Sequence, residues 1–310
     1  MGSTIGYAAV TLAALLLGCS SPTPGRVVVA VTVDWEGAYI SDEGLDAIDK
    51  LRKAPSIPLT HFMSAAYFTK AEPDPDVQRE LADALEPGDE LAAHLHGWAS
   101  LAKAAGVEPR VSPSFITGTD ELQKVGDGDT GFDLDLDAYS TADLRALVRT
   151  TRELLGKVGP VSDAFRAGGY VAGPRLRRAL VDEGMTIDSS AIDPRQLASD
   201  PVFAARVAET WGTPKSQPWL VDDLVELPIA AVADRVTAAD VTAVLSSAID
   251  ELGKHPDRDV FVVLALHQET AGDHAAAIRA GLDAARAKSS SLAFVTVSQA
   301  AARARAQLGR

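Results

Sequence analysis

Residues 27–36 have the sequence VVVAVTVDWE, a run of mostly β-branched apolar residues that ends in acidic side chains. A short, continuous apolar run of this kind predicts a buried strand of a parallel sheet. Asp34 and Glu36 lie two positions apart, so both carboxylates point the same way on an extended backbone while Trp35 points elsewhere. The stretch therefore predicts a strand that delivers two carboxylates to one cavity.

The rest of the chain alternates short apolar runs with amphipathic segments, which predicts an α/β fold with a mainly parallel sheet or barrel. Capping-box spacing at Ser140 with Asp143, and at Thr237 with Asp240, predicts two helix starts. The Gly-, Pro- and Asp-rich residues 101–139 are expected to form long loops. The expected strands are 27–33, 59–63, 90–95, 163–167, 224–227, 260–266 and 292–297.

Composition limits the classes of partner and of site. The 43 Asp and Glu against 29 Lys and Arg leave a net charge of −14, which repels phosphate backbones, so nucleic acid is not an expected partner. Cys19 is the one cysteine, so a disulfide within the chain and a thiolate metal cluster are excluded. A metal ion would have to be held by His, Asp or Glu.

His94 and His96, in the segment AHLHGW from Ala93 to Trp98, repeat the two-residue spacing at another expected strand end. Two imidazoles and a carboxylate at one edge of a sheet would form a facial metal site with open positions for water and substrate. A single His-x-His pattern often serves only hydrogen bonding. Its pairing with Asp-x-Glu favours the metal site over the structural role.

These motifs, followed by FRAGGY from Phe165 to Tyr170 and by Leu266-His267, resemble in order those of polysaccharide deacetylases, the NodB-homology proteins of carbohydrate esterase family four. The resemblance covers nearly everything from Arg26 onward. It implies a distorted (β/α) barrel with fewer than eight strands. It also implies a metal-dependent hydrolase that removes N-acetyl groups from an extracytoplasmic polysaccharide or cell-envelope glycan.

The resemblance also implies a role for each site residue. Asp34 would be the general base, oriented by Arg166, and His267 the general acid. Glu36 would join the histidines in holding a divalent metal, Zn²⁺ before Co²⁺ or Ni²⁺. The backbone N–H of Tyr170 would stabilise the oxyanion. Apart from the resemblance, the position of Trp35 and Trp98 beside these motifs leaves two roles open for them: to stack on a sugar ring or to wall the barrel mouth.

Three departures from the family pattern indicate a divergent branch. The first motif is Asp-x-Glu, where the family usually has two adjacent aspartates. Trp98 stands where the family usually has its second metal histidine, so His96 or His61 must replace that ligand. Gly168-Gly169 precedes Tyr170 in place of a proline.

Several residues have plainer interpretations. His267 ends an apolar strand and could be a hydrogen-bonded core histidine, and Arg166 could pair with Asp188 or Glu226. The acidic run 127–137 is expected to be a solvated loop, since Gly131 breaks the ligand order of a calcium-binding EF-hand. Two other functions stay open: hydrolysis of another C–N bond, as in a cyclic amide or ureide, and glycan binding without catalysis.

The first 25 residues carry no charge, and an apolar run from Ile5 to Leu17 leads to Cys19. The run is shorter than the roughly 18–20 residues of a spanning helix and resembles the signal and lipobox of bacterial lipoproteins. An unlipidated buried cysteine is the alternative. We expect a signal peptide at 1–18, a tether at 19–26 lipidated at Cys19, and a deacetylase-like catalytic domain at 27–310, anchored to the membrane outside the cytoplasm.

Overall fold

The computed structural model describes residues 24–53, 56–125 and 128–309. Within these ranges, apolar strands alternate with helices along the chain. The strands are β1 (Val27–Trp35), β2 (Leu59–Ser64), β3 (Glu90–Leu95), β4 (Lys124–Val125), β5 (Asp129–Thr130), β6 (Val161–Ala167), β7 (Ile187–Asp188), β8 (Trp219–Val221), β9 (Leu224–Glu226), β10 (Ile229–Val232), β11 (Val260–His267) and β12 (Leu292–Phe294). The helices are α1 (Asp42–Arg52), α2 (Val77–Asp83), α3 (Ala99–Ala104), α4 (Thr141–Leu155), α5 (Pro174–Asp182), α6 (Pro201–Trp211), α7 (Ala238–Lys254), α8 (Ala271–Lys288) and α9 (Val297–Leu308).

One curled sheet organises the domain, with strand order β10-β11-β1-β2-β3-β6-β7-β9-β8 and with β12 also paired to β1. Every pairing in it is parallel except that of β8 with β9. The strand order begins with β10 and ends with β8, so the barrel is open between these two ends of the sheet. A bridge between Ile192 and Ile229 brings the chain after β7 beside β10 and narrows this opening. The predicted α/β fold of the distorted (β/α) barrel type is confirmed.

Alternate residues of β1 enter two different cores. Val27, Val29 and Val31 pack with the helices in the outer core. Val28 and Ala30 point to the opposite side, the inner face, where they share a core with residues of α9. Because α9 fills the inner face near the start of β1, polar groups on this face concentrate at the carboxyl ends of the strands.

The helix starts follow the sequence closely. Ser140 and Asp143 form a reciprocal capping box at α4, and Thr237 and Asp240 form another at α7, as predicted. The expected strand 292–297 stops early, because Thr296 caps α9 instead of continuing β12. Of the expected loop region 101–139, residues 101–104 belong instead to α3, and residues 105–125 and 128–139 are largely irregular, as expected, apart from the β4–β5 hairpin and a short 3₁₀ turn. No helix in the described ranges has the length and apolarity needed to cross a bilayer.

Candidate active site

The inner face carries the predicted chemical groups to one edge of the barrel. Asp34, His94, Arg166 and His267 each continue the inner-face alternation of their own strand. Pairing register then brings them together in twos: Asp34 lies opposite His267 across β1 and β11, and His94 lies opposite Arg166 across β3 and β6. Parallel pairing places all four at carboxyl ends, the edge where barrel enzymes build their sites.

Glu36, His94 and His96 form a cluster whose ligand atoms all lie within 4.8 Å of one another. Each imidazole is oriented from behind by a backbone carbonyl: His94 Nδ1 lies 3.0 Å from the carbonyl oxygen of Arg166, and His96 Nδ1 bonds that of Phe132. This fixes the tautomer in which both Nε2 atoms face Glu36 with their lone pairs.

The donor set of this cluster fits a divalent cation. Glu36 Oε2 and the Nε2 atoms of His94 and His96 are buried and face one another, and none of the three has a hydrogen-bond partner outside this cluster among the described residues. Burial raises the pKa of Glu36, but the neighbouring His96 and His94 outweigh burial and hold that pKa well below its usual value. A carboxylate and two imidazoles suit Zn²⁺, Co²⁺ or Ni²⁺.

His96, and not His61, completes the cluster. His61 occupies the outer-face alternation of β2, where it is buried against Trp35. Its Nδ1 accepts the Trp35 indole N–H at 3.1 Å, and its Nε2 lies 3.3 Å from Asp89. Trp35 is fully buried in the outer core, so the prediction that its ring stacks on a sugar is wrong.

Trp98 is also fully buried, and the same prediction is wrong for it. Its ring lies beneath the Lys70 ammonium, 3.8 Å from the ring centroid, and beside Phe132. The indole N–H donates to the backbone carbonyl of Glu36 at 2.9 Å. Trp98 therefore supports the loop that presents the carboxylate ligand.

Asp34 and Arg166 form a buried ion pair, with both side chains at most 1% exposed. Arg166 Nη1 donates to Asp34 Oδ1 at 2.6 Å and to Thr32 at 2.7 Å, and its Nε and Nη2 donate to Ser189. Arg166 therefore pairs with Asp34, and not with the alternative partners Asp188 and Glu226. Asp34 Oδ2 is buried and has no partner among the described residues.

His267 is held by Asp234, a residue that the sequence analysis missed. His267 Nδ1 bonds Asp234 Oδ2, and its Nε2 lies 3.2 Å from Glu36 Oε1 and 3.3 Å from the Tyr170 hydroxyl. Burial lowers the pKa of His267, but the bond to Asp234 and its charge outweigh burial and raise that pKa to about 10. Only one signal pointed to Asp234: an acidic residue shortly after an apolar strand.

Tyr170 closes the site from the β6 side on a turn that needs glycine. Tyr170 itself has φ 59°, and Gly169 has φ 62°, the left-handed region that favours glycine. At Gly168, a Cβ atom would lie 2.5 Å from the His96 ring. A side chain at position 168 would therefore collide with His96.

Glu269 is a second carboxylate that the sequence analysis missed. Its Oε1 accepts the backbone N–H of Glu36 and the Tyr67 hydroxyl, both at 3.1 Å. Burial and then the charge of Glu36 raise the pKa of Glu269 to about 8. Glu269 therefore braces the metal-ligand loop from the end of β11.

The acidic run 127–137 is not a solvated loop throughout, so that expectation is wrong. Asp133 is fully buried and accepts from Ser114, and Asp135 pairs with Arg206. Asp135 thus ties the long loop to α6, and Asp133 ties two parts of the loop to each other. Asp127 lies outside the described residues.

Most of the predicted export and anchoring segment, including Cys19, also lies outside the described residues. The signal peptide and the lipidation therefore stay predictions. At the end of the predicted tether, Gly25 N donates to the Pro256 carbonyl, and the Arg26 guanidinium donates to the carbonyl of Ser291. Residues 25 and 26 thus contact the folded domain.

No protein-family model matches the sequence, and no curated protein matches it. Among solved structures, the chain is similar to a protein named as a polysaccharide deacetylase from Mycobacterium smegmatis, with 18% identity, 93% of both chains covered and a TM-score of 0.54. A second, named as a polysaccharide deacetylase from Pseudomonas aeruginosa PAO1, has 14% identity and a TM-score of 0.51, with 91% of this chain and 92% of that one covered.

The chain is equally similar to Puue allantoinase, with 17% identity, 96% of this chain and 98% of that one covered and a TM-score of 0.54. Likeness at these identities establishes the fold, which is the one found in polysaccharide deacetylases. Activity has to be argued from the site itself.

Proposed function

We propose that this protein is a metal-dependent hydrolase that removes N-acetyl groups from a polysaccharide or cell-envelope glycan. The observation that carries the proposal is the meeting of three units at one barrel edge. These are the Glu36, His94 and His96 cluster, the Asp34–Arg166 pair and the His267–Asp234 pair. Amide hydrolysis needs an electrophile, a base for water and an acid for the amine, and each unit supplies one.

Glu36, His94 and His96 would hold a divalent cation, which would supply Lewis-acid polarisation of the amide carbonyl and a lower pKa for water, from 15.7 toward about 7. Asp34 accepts the proton of the attacking water at Oδ2, while Arg166 holds Oδ1 and fixes the orientation of the carboxylate. His267, kept protonated by Asp234, donates its Nε2 proton to the nitrogen as the C–N bond breaks. Acetate and a free amine are the products.

Two groups of Tyr170 take part in this proposal, its backbone N–H and its hydroxyl. Its backbone N–H is the donor expected to stabilise the developing oxyanion, by resemblance to the deacetylase family. Its hydroxyl lies 3.3 Å from His267 Nε2, the atom that delivers the proton. In this proposal, Tyr170 would therefore lie near both the carbonyl oxygen and the leaving amine of the substrate.

Acetate release from N-acetylchitooligosaccharides and peptidoglycan tests the proposal. We expect Asp34→Asn and His267→Gln each to lower kcat by about 10²- to 10⁴-fold while glycan affinity stays nearly unchanged, because proton transfer acts in the transition state. His255→Gln, at an exposed histidine that caps the end of α7, is the matched control and should keep full activity. Wild-type turnover in Asp34→Asn or His267→Gln would refute that residue's role.

Two other functions give different outcomes in the same experiments. Hydrolysis of a cyclic amide or ureide is the second candidate, since the fold resembles that of an allantoinase as closely as that of a deacetylase. Metal-independent turnover of a ureide, without acetate release from glycans, would support it. Glycan binding with no turnover of either substrate would indicate a binding protein.

The location is part of the proposal and rests on the sequence alone. An uncharged apolar segment that leads to Cys19 favours export and lipid anchoring outside the cytoplasm. We expect Cys19→Ser to move the protein from the membrane fraction to the soluble fraction, since acyl chains on Cys19 would be its anchor. Retention of Cys19→Ser in washed membranes would show that lipidation is not what anchors the protein.

A further inference from the structure

Two buried carboxyls remain that the proposed mechanism does not use. Asp188 and Glu226 are Cα partners across β7 and β9, and both are fully buried. One oxygen of each is occupied: Asp188 Oδ1 accepts from the Ser190 hydroxyl, and Glu226 Oε1 accepts the backbone N–H of Ala191 at 2.8 Å. The other two oxygens, Asp188 Oδ2 and Glu226 Oε2, have no donor among the described residues.

Two adjacent buried carboxylates repel each other and leave costly unsatisfied acceptors. The charged groups that face them are Arg177 from α5 and Arg166 from β6. Neither compensates the pair directly, because Arg177 is bound to Asp222 and Arg166 to Asp34. A single proton held between the carboxyls removes the repulsion and supplies the missing donor.

The pKa values of both carboxyls are shifted upward, in agreement with this geometry. Burial raises the pKa of Asp188, and its hydrogen bonds and the two arginines offset part of that rise. The resulting pKa is about 6. Burial raises the pKa of Glu226 well above its usual value, and the charge of Asp188 raises it further. Both shifts favour a proton retained by the pair.

The carboxyl pair holds the chain segment that anchors Arg166. The Ser189 carbonyl accepts from Arg166 Nε at 2.7 Å, and the Ser189 hydroxyl accepts from Nη2 at 2.9 Å. The next residue, Ser190, bonds Asp188 and accepts the backbone N–H of Ala167 at 2.9 Å. Ala191, the third residue, is bound by Glu226.

We propose that Asp188 and Glu226 form a proton-sharing pair that positions Arg166, and through it Asp34, by holding residues 189–191. The positioning part rests on the proposed function, in which Asp34 is the base. The proton-sharing part does not depend on any activity. Both carboxyls are positioning residues, since neither contacts the atoms that would react.

Infrared spectroscopy tests the shared proton directly. At pH 7.5, the C=O stretch of a protonated carboxyl should be lost in Glu226→Gln and in Asp188→Asn, each measured as a difference from the wild type. Differences are needed because Glu269 also has a raised pKa. Asp193→Asn, close by but paired with Arg195, is the control and should leave the band unchanged. A band that survives in both variants would overturn the proposal.

Thermal unfolding gives a second test that needs no substrate. Because the folded pair binds more protons than the unfolded chain, stability should fall as pH rises above about 4, the pKa of an unfolded carboxyl, until the folded pair loses its proton. In Glu226→Gln the amide N–H₂ replaces the proton, so its Tm should fall less and exceed that of the wild type at pH 8.5 by about 3 °C or more. Parallel curves of Tm against pH would contradict proton sharing.

Kinetics tests positioning separately. Glu226→Leu removes the acceptor for Ala191, and we expect kcat to fall about 10-fold or more with little change in KM, because a displaced base loses aligned geometry. Glu226→Gln keeps the acceptor and should restore kcat. Unchanged kcat in a folded Glu226→Leu would refute positioning. Should the wild type itself lack turnover, the proposed function fails, while the infrared and thermal results still decide proton sharing.

Discussion

At the scale of single residues, the proton on His267 depends most on Asp234. Asp234 bonds His267 Nδ1, and this bond and the Asp234 charge raise the pKa of the imidazole against the opposing effect of burial, with smaller contributions from the charges of Glu36 and Asp34. The raised value, about 10, keeps the imidazole charged over the neutral range, where a general acid for an amine leaving group is needed. In the proposed reaction, the carboxylate would therefore act through the histidine.

Asp234→Asn should therefore lower the pKa of His267 and move the alkaline limb of the kcat–pH profile to lower pH. The free energy of unfolding of this variant should also be lower than that of the wild type at neutral pH. A group whose folded pKa is raised contributes stability below its unfolded pKa, and that contribution disappears as pH rises through the folded pKa. The variant should lose it at neutral pH, measured by urea unfolding at pH 7. Asp273→Asn, an exposed change nearby on α8, should alter neither quantity, and an unmoved alkaline limb in Asp234→Asn would contradict the role.

The site residues differ in how far the sequence could reveal them. Asp34, Glu36, His94 and His96 are two apart on or just after strands, so alternation alone puts each pair on one side. His61 could be excluded only once the register of β2 against β1 was known. Asp234 and Glu269 lie in 3₁₀ turns after their strands, where no periodicity fixes the direction of a side chain.

At the scale of elements, the end of β11 clamps the loop between β1 and α1. The Gln268 side chain accepts from Ser41 N at 3.1 Å and donates to the Ser41 carbonyl at 2.7 Å. Glu269 holds the backbone of Glu36 in the same loop. The backbone of Gly44 packs closely against Gln268, because a Cβ at Gly44 would lie 2.0 Å from the Gln268 carbonyl oxygen.

Gly44→Ala and Gly253→Ala form a matched pair that tests this contact. Both glycines are inside helices, where alanine is normally favoured by about 0.5–1 kcal/mol. We expect Gly253→Ala in α7 to stabilise the protein by roughly that amount, since no described atom lies within 4 Å of its Cβ position. Gly44→Ala should destabilise by about 1–3 kcal/mol, because the loop must move. Urea unfolding measures both, and equal effects at the two sites would contradict the tight contact.

At the scale of the whole molecule, the long strands and the capped helices were predictable from the sequence, and the closure of the barrel was not. Strands β7, β8 and β10 have only two to four residues, too few for an alternating pattern. The placement of α9 on the inner face was also hidden, because its amphipathic pattern does not say which surface it covers. Val297 N donates to Thr60, and Ser298 N donates to Glu90, so long-range contacts decide that position.

The metal cluster joins distant parts of this barrel, so a bound ion should stabilise the whole fold. Glu36 follows β1, whereas His94 and His96 belong to β3 and the loop after it, and an ion that binds only the folded chain adds RT ln(1 + [L]/Kd) to its stability. At 100 times Kd this is about 2.7 kcal/mol, which should raise Tm by roughly 5 °C.

We expect this rise with Zn²⁺ in the wild type and in His255→Ala, and its reversal by a chelator. His94→Ala combined with His96→Ala should show neither the rise nor bound metal after dialysis, because the remaining carboxylate retains a divalent ion poorly. The metal-free wild type should still unfold cooperatively, since both histidines are already held by backbone carbonyls. A full Tm rise in the double variant would place the metal elsewhere.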